Sequence, residues 1–312
     1  MPELSIIIPV YNEHETIPEL VGRLLKTAVL LNISCEMLFV DDGSTDQTPA
    51  LLYEYAAKDM RIKIISFSRN FGHQAAVSAG LTYARGNAIA VMDGDLQDPP
   101  EFLPSLYALY KEGNDVVYAV RTSRKEGFIK RCAYFLFYRI ARATGDGIAL
   151  PLHAGDFSLM SRRVVDHINR FPERGRYVRG LRSWVGFRQV GLSYERDERH
   201  DGVSKYSIFK LFRLAYDCFF GFTRLPLLII NVLAFVFSLL SCLGIAVIFG
   251  LRLFTHAYIP GFASTAILIL FTGGIQLFML GIVGEYMKRL YDEVRQRPLY
   301  LVDKKINFDR ES

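Results

Sequence analysis

Five short apolar runs, Leu4 to Val10, Cys35 to Val40, Ile62 to Phe67, Ala88 to Met92 and Asp115 to Val120, recur through the first 120 residues. Runs of this length bounded by turn residues are buried strands, and helical patterns about a dozen residues long lie between them. Such an alternation builds βαβ units around a mostly parallel sheet, so the expected fold is α/β with helices flanking the sheet. The first helix begins near Thr16, the second is capped by Thr45 or Asp46, and the third runs through Ala84. In an open sheet of this kind ligands bind beyond the carboxyl ends of the strands. The residues that follow the strands are therefore the candidates for function.

Those positions are acidic. Glu13 follows the first strand, Asp41 and Asp42 the second, and Asp93-Gly94-Asp95-Leu96-Gln97-Asp98-Pro99-Pro100 the fourth. On an extended segment side chains two apart point the same way, so Asp93 and Asp95 can place two carboxylates on one hard divalent cation, Mg²⁺ or Mn²⁺. A cation held in this way shares its remaining positions with water and a substrate diphosphate. After the first strand there is no G-x-G-x-x-G, and G-x-x-x-x-G-K-[ST] occurs nowhere, which removes the main warrant for a dinucleotide-dependent dehydrogenase or a P-loop NTPase. Carboxylates do not cradle phosphates directly, but they hold a metal that does, and they accept hydrogen bonds from a base or ribose.

The second half of the chain changes character. No charged residue occurs from Pro226 to Leu251 or from Pro260 to Gly284. A spanning helix needs about 20 such residues, so two transmembrane helices are expected. Lys205, Lys210, Arg213 and Arg224 precede the first run, and Lys288, Arg289, Arg295, Arg297, Lys304 and Lys305 follow the second, against a single basic residue between the runs. The positive-inside rule then predicts a multi-pass membrane protein with both termini cytoplasmic. The apolar stretch near Met1 soon reaches Glu13, so no signal peptide is expected. Basic, aromatic stretches at 125–144 and 204–222 read as amphipathic helices in the headgroup plane.

The expected organisation is a cytoplasmic catalytic domain over 1–203, a juxtamembrane helix over 204–224, a two-helix membrane region over 225–285 and a cytoplasmic tail over 286–312. The net charge of +5 sits beside the apolar runs and in Arg121 to Arg142. It points to phosphates or anionic headgroups rather than nucleic acid, for which no recognition motif is present. Cys35, Cys132, Cys218 and Cys242 have no metal or redox spacing and read as buried thiols in a reducing compartment. The tail from Pro298 to Phe308 has strand-like composition but no evident sheet to join, so it is expected to pair with another protomer in a homo-oligomer.

Six motifs in order carry a resemblance. They are Ile8-Pro9-Val10-Tyr11-Asn12-Glu13, Val40-Asp41-Asp42-Gly43-Ser44-Thr45-Asp46, Ser68-Arg69-Asn70-Phe71-Gly72-His73, Asp93 to Pro100, Gly155-Asp156-Phe157-Ser158-Leu159-Met160, and Arg199-His200-Asp201-Gly202-Val203-Ser204-Lys205-Tyr206. Together they resemble the polyprenyl-phosphate glycosyltransferases of family 2, GT-A enzymes related to dolichyl-phosphate mannose synthase and bactoprenol glucosyltransferase. The resemblance covers nearly the whole chain.

The resemblance implies an inverting, metal-dependent transfer of glucose from UDP-glucose to a membrane polyprenyl phosphate. By position, Pro9, Tyr11, Glu13, Asp41, Asp42 and Asp93 bind the nucleotide sugar, while Asp93, Asp95 and Gln97 bind the metal. Asp156 is the implied catalytic carboxylate, and Arg121, Arg131, Arg199, Ser204 and Lys205 gather phosphates. Neither sugar nor base is written in these motifs, and GDP-mannose or a modified UDP-sugar satisfies them equally. A processive polysaccharide synthase shares the donor fold but carries Q-x-x-R-W, whereas this chain reads Leu181-Arg182-Ser183-Trp184 around its only tryptophan. A non-catalytic membrane scaffold would have no need of intact Asp93, Asp95 and Asp156.

Overall fold

The computed structural model describes residues 1–121, 154–173, 176–194 and 261–308, with scattered helical positions between 230 and 254. Its first elements are β1 (Leu4–Val10), α1 (Ile17–Leu31), β2 (Cys35–Asp41), α2 (Thr48–Lys58), β3 (Ile62–Phe67), α3 (His73–Tyr83) and β4 (Ala88–Val91). A 3₁₀ turn at Pro100–Phe102 leads into α4 (Leu103–Lys111), followed by β5 (Val116–Arg121), β6 (Ala154–Ser161), α5 (Arg162–Arg170), α6 (Val178–Trp184) and β7 (Gln189–Tyr194). The last elements are α7 (Phe262–Val294) and β8 (Val302–Ile306). The runs over 4–10 and 62–67 are strands at the boundaries expected from their composition.

The sheet order is β7-β5-β6-β4-β1-β2-β3-β8. Its centre, β4-β1-β2-β3, is parallel, as βαβ units require. Every residue of β1 and β2 is buried, which is why these strands read as unbroken apolar runs rather than alternating ones. Ile6 and Ile8 face one core layer with Leu20, Leu24 and Phe39, while Ile7 faces the other with Leu38, Ala76 and Val77. The sheet is mixed rather than mostly parallel: β6 runs antiparallel to both β4 and β5, and β8 antiparallel to β3.

Residues Met1–Leu136, Ile148–Lys205 and Arg297–Ser312 make one compact unit, which holds the sheet; Phe137–Gly147 and Tyr206–Gln296 make a second. Within the second, α7 is 33 residues long and Phe271 lies 6.0 Å from Phe237. Among the described residues no helix is long and apolar enough to cross a membrane, which corrects the expected two spans. Most of the run 260–284 falls on α7, which continues through Glu285, Lys288, Arg289, Asp292 and Glu293, while much of 226–251 lies outside the described residues. The multi-pass localisation and cytoplasmic termini rested on those spans and are set aside with them. The stretches read as amphipathic, at 125–144 and 204–222, lie outside the described residues.

The tail is a second correction. β8 pairs with β3 of its own chain, Ile64 opposite Ile306 and Ser66 opposite Lys304, so the edge expected to seek another protomer is already paired. Local composition showed a strand but not that β3 is the open edge of the same sheet. Tyr300 stacks on Phe67 at 4.9 Å, and Ser68 N donates to Leu301 O. Asn307, at φ 62°, donates through Nδ2 to Ala56 O at 2.7 Å and Ile62 O at 2.8 Å. Asn307→Ala loses both bonds and places a Cβ-bearing residue without a compensating side chain in the left-handed region. It is expected to lower stability by about 2–3 kcal/mol, measured by urea unfolding.

Candidate active site at the strand ends

Three loops at the carboxyl ends of β1, β2 and β3 are stitched into one surface. Asn12 N donates to Ser44 Oγ, Thr45 N to Asn12 Oδ1 at 2.8 Å, and Glu13 N to Thr48 Oγ1. His14 Nδ1 lies 2.8 Å from Asp46 Oδ2. Gly43, at φ 70°, passes so close to the third loop that a Cβ there would fall 2.4 Å from the Arg69 carbonyl carbon, so only glycine fits. Asp42 accepts hydrogen bonds from Phe71 N at 2.7 Å and Gly72 N at 2.9 Å, satisfying donors that lead into α3. Asp41 is buried and accepts from Ser44 N at 2.9 Å, and its burial pushes the carboxyl above its ordinary range.

The residues assigned to the nucleoside therefore divide in two. Asp41 and Asp42 spend acceptor capacity on main-chain N–H groups and shape the loops, Pro9 is part of β1, and Tyr11 presents an exposed ring at the rim. Glu13 lies beneath, where its carboxylate accepts from Thr16 Oγ1.

Thr16 also ties the acidic loop to this surface, donating to Gly94 O at 3.1 Å. Gly94 lies against β1, where an added Cβ would approach Val10 Cγ1 to 2.8 Å. Asp95 Oδ1 accepts from Gln97 N, Gln97 and Asp98 are buried, and Tyr194 OH donates to Asp98 Oδ1. Asp93 Oδ1 is sealed from solvent and has no hydrogen-bond partner among the described residues, and His73 Nε2 lies 3.7 Å from it. Burial pushes the Asp93 carboxyl up to about 6; repulsion from Asp98, Asp156 and Asp95 adds to this, and His73 opposes it.

The antiparallel register of β4 and β6 completes the site. Val91 lies opposite Ser158, so continuing the register sets Asp93 opposite Asp156. Arg179 takes both oxygens of Asp156, Nε to Oδ1 at 3.3 Å and Nη2 to Oδ2 at 3.1 Å. His73, the first residue of α3, stands between the two carboxylates, 3.6 Å from Asp156 Oδ2. Burial works against the Asp156 charge, but His73 and Arg179 outweigh it and hold the carboxyl well below the usual range. His73 is raised in turn by the carboxylates, against its own burial. Behind them Arg182, 2% exposed, donates through Nη1 and Nη2 to Gly155 O and lies 5.5 Å from the Tyr118 ring. Burial lowers it to about 10, so it remains a cation at neutral pH.

Sequence reasoning assigned no role to His73, Arg179 or Arg182. His73 closes the motif Ser68 to His73, and the two arginines stand three apart before Trp184, on one face of a helix. Arg121 is the last residue of β5, while Arg131, Arg199, Ser204 and Lys205 lie outside the described residues. Among the described residues no three His, Cys, Asp or Glu side chains converge into an enclosed metal cage.

A model of the family described as Glycosyl transferase family 2 matches residues 5–168. The chain is 45% identical to the uncharacterized glycosyltransferase YkcC of Bacillus subtilis, over 97% of this chain and 94% of that protein. It is 36% identical to the bactoprenol glucosyl transferase of Shigella phage SfII, over 97% and 98% of the respective lengths. Among solved structures it is similar to the mannosyltransferase PcManGT from Pyrobaculum calidifontis in complex with GDP-Man and Mn²⁺, at 17% identity and a TM-score of 0.46, over 93% of this chain and 88% of that one.

Proposed function

The chain belongs to glycosyl transferase family 2, and on that premise we propose that it transfers glucose from UDP-glucose to a polyprenyl phosphate with inversion at the anomeric carbon. A relative named bactoprenol glucosyl transferase, alike over nearly its full length, supports glucose as the sugar and a polyprenol-based acceptor. The observation that carries the reading is His73 Nε2 3.7 Å from Asp93 and 3.6 Å from Asp156, with Arg179 on Asp156, where strands of an α/β sheet open to ligands.

In this reaction an oxygen of the acceptor phosphate forms the new bond to the anomeric carbon as the bond to UDP breaks. A phosphate monoester has a second pKa near 6, so at neutral pH most acceptor is a dianion and a strong general base is unnecessary. Asp156, held as a carboxylate by Arg179 and His73, suits a different task. It orients the nucleophile and stabilises positive charge at the sugar. Tyr11 meets the nucleoside on the loops that Asp41 and Asp42 hold in shape. Arg121, Arg131, Arg199, Ser204 and Lys205 gather the phosphates, so orientation and electrostatics supply most of the barrier reduction.

The donor set also fits a divalent cation, Mg²⁺ or Mn²⁺. Asp93 offers a hard oxygen with no hydrogen-bond partner among the described residues, in a neighbourhood crowded with carboxylates. Asp93, Asp95 and Gln97 would hold it in an open site whose other positions belong to water and the donor diphosphate. When bound, such an ion neutralises charge on the departing diphosphate.

The test is to mix the full chain with UDP-glucose and detergent-dispersed polyprenyl phosphate, with and without Mn²⁺, across a panel of nucleotide sugars. The expected result is metal-dependent UDP release coupled to formation of a glucosyl lipid. Tight UDP-glucose binding with no UDP release on adding acceptor would overturn the assignment, and faster turnover of GDP-mannose would reassign the donor.

A further inference from the structure

Helix α6 is built around two arginines with one target. Arg182, buried, donates both terminal nitrogens to Gly155 O, while Arg179, one turn earlier, takes both carboxylate oxygens of the next residue, Asp156. The helix is itself fixed. Val178 N donates to Gln74 Oε1 at 2.9 Å, which hangs its first turn on the turn of α3 that carries His73. The Arg179 guanidinium lies 5.7 Å from the Tyr177 ring. From the strand side, Ser158 Oγ donates to Asp156 O.

The carbonyl just before the aspartate and the aspartate's own carboxylate are thus held by successive turns of one short helix. Resting on the glycosyl-transfer reading above, we propose that α6 is a two-arginine clamp that orients Asp156, with Arg179 as a positioning residue that acts on the reaction only through that carboxylate. A planar guanidinium engaging two oxygens fixes both the direction and the rotation of a carboxylate, which a point charge does not. With both oxygens engaged by Arg179 and Oδ2 also faced by His73, the remaining lone pairs define the direction in which Asp156 meets the sugar and the acceptor. A neutral substitute at 179 leaves the carboxylate present but free to turn away, and a displacement of about 1 Å can cost ~10²-fold in rate.

The experiment is a double-mutant cycle on the full chain with Arg179→Gln, Asp156→Asn and the two combined, with Arg179→Lys as the conservative variant. For Arg179→Gln the expected loss in kcat is ~10²-fold, with KM for UDP-glucose and for polyprenyl phosphate each within about threefold of the parent. Arg179→Lys recovers part of that loss, and in the Asp156→Asn background Arg179→Gln costs less than about threefold further. Multiplicative losses in the double variant would overturn the clamp, and so would a raised KM for polyprenyl phosphate with unchanged kcat, which would make Arg179 a phosphate ligand. All variants are also followed by thermal unfolding, and an Arg179→Gln loss of activity that tracks loss of folded protein counts against the proposal.

The same cycle is read on slow hydrolysis of UDP-glucose by water, which needs no lipid. If the parent ignores polyprenyl phosphate, the acceptor assignment falls while non-additivity in hydrolysis still upholds the clamp, and additivity there still sinks it.

Discussion

Asp156→Asn is expected to lower kcat by about 10²–10³-fold while leaving affinity for UDP-glucose nearly unchanged. The amide keeps the shape of the side chain but loses its charge, and the charge is what Arg179 and His73 are arranged around. The variant also leaves Arg179 against a neutral group, so part of the loss is misorientation of whatever replaces the carboxylate. Donor binding rests elsewhere, on Tyr11 and the loops stitched by Asp41 and Asp42, which the substitution does not touch. The pH dependence separates two roles. If Asp156 mainly collected a proton from a monoanionic acceptor, the variant would recover as pH rises well past about 6, where the phosphate monoester is a dianion. No recovery is expected, because the carboxyl is held far below the usual range and is ionised throughout. The check is steady-state kinetics from pH 6 to 9 with donor affinity measured separately by calorimetry. Near-normal kcat with weakened UDP-glucose binding would move Asp156 into the donor pocket.

Asp93→Asn is expected to abolish metal-supported turnover, by at least about 10²-fold, and at the same time to raise the thermal midpoint of the metal-free protein by a few degrees. The two effects share a cause. Asp93 Oδ1 is sealed from water with no hydrogen bond among the described residues, and Asp95, Asp98 and Asp156 all add repulsion to it. A charged oxygen kept in that setting weakens the fold, and replacing it with a neutral amide removes the penalty. What is lost is the hard anionic ligand needed to hold a cation against the donor diphosphate. Differential scanning calorimetry without metal, paired with UDP release in Mn²⁺, reads both halves. A variant that is both less stable and fully active would show Asp93 to be a structural residue.

Local pattern carried much of the fold. Strands 4–10 and 62–67 follow from apolar runs closed by turn residues, and the parallel centre follows from the helices between them, because strand and helix periodicities are written in neighbouring residues. The same locality marked the strand-end carboxylates, since where a strand stops is where its turn residues begin. It also showed why Gly43 and Gly94 occupy their loops only after the neighbours Arg69 and Val10 were in place.

Long-range pairing was not legible. Strand β6 hid its apolar alternation behind Asp156 and Ser158, and only its antiparallel register against β4 brings Asp156 opposite Asp93, 63 positions earlier in a chain read as mostly parallel. The tail looked like a strand in search of a partner because nothing near it in sequence identifies β3 as an open edge. The motif that ends at His73 and the arginines before Trp184 do not by themselves state a role, since a histidine after a glycine and an arginine on a short helix are common. Their meaning comes from convergence on one carboxylate, which depends on how α3 and α6 pack around β6, and packing between distant segments is set by the whole core rather than by any window of residues.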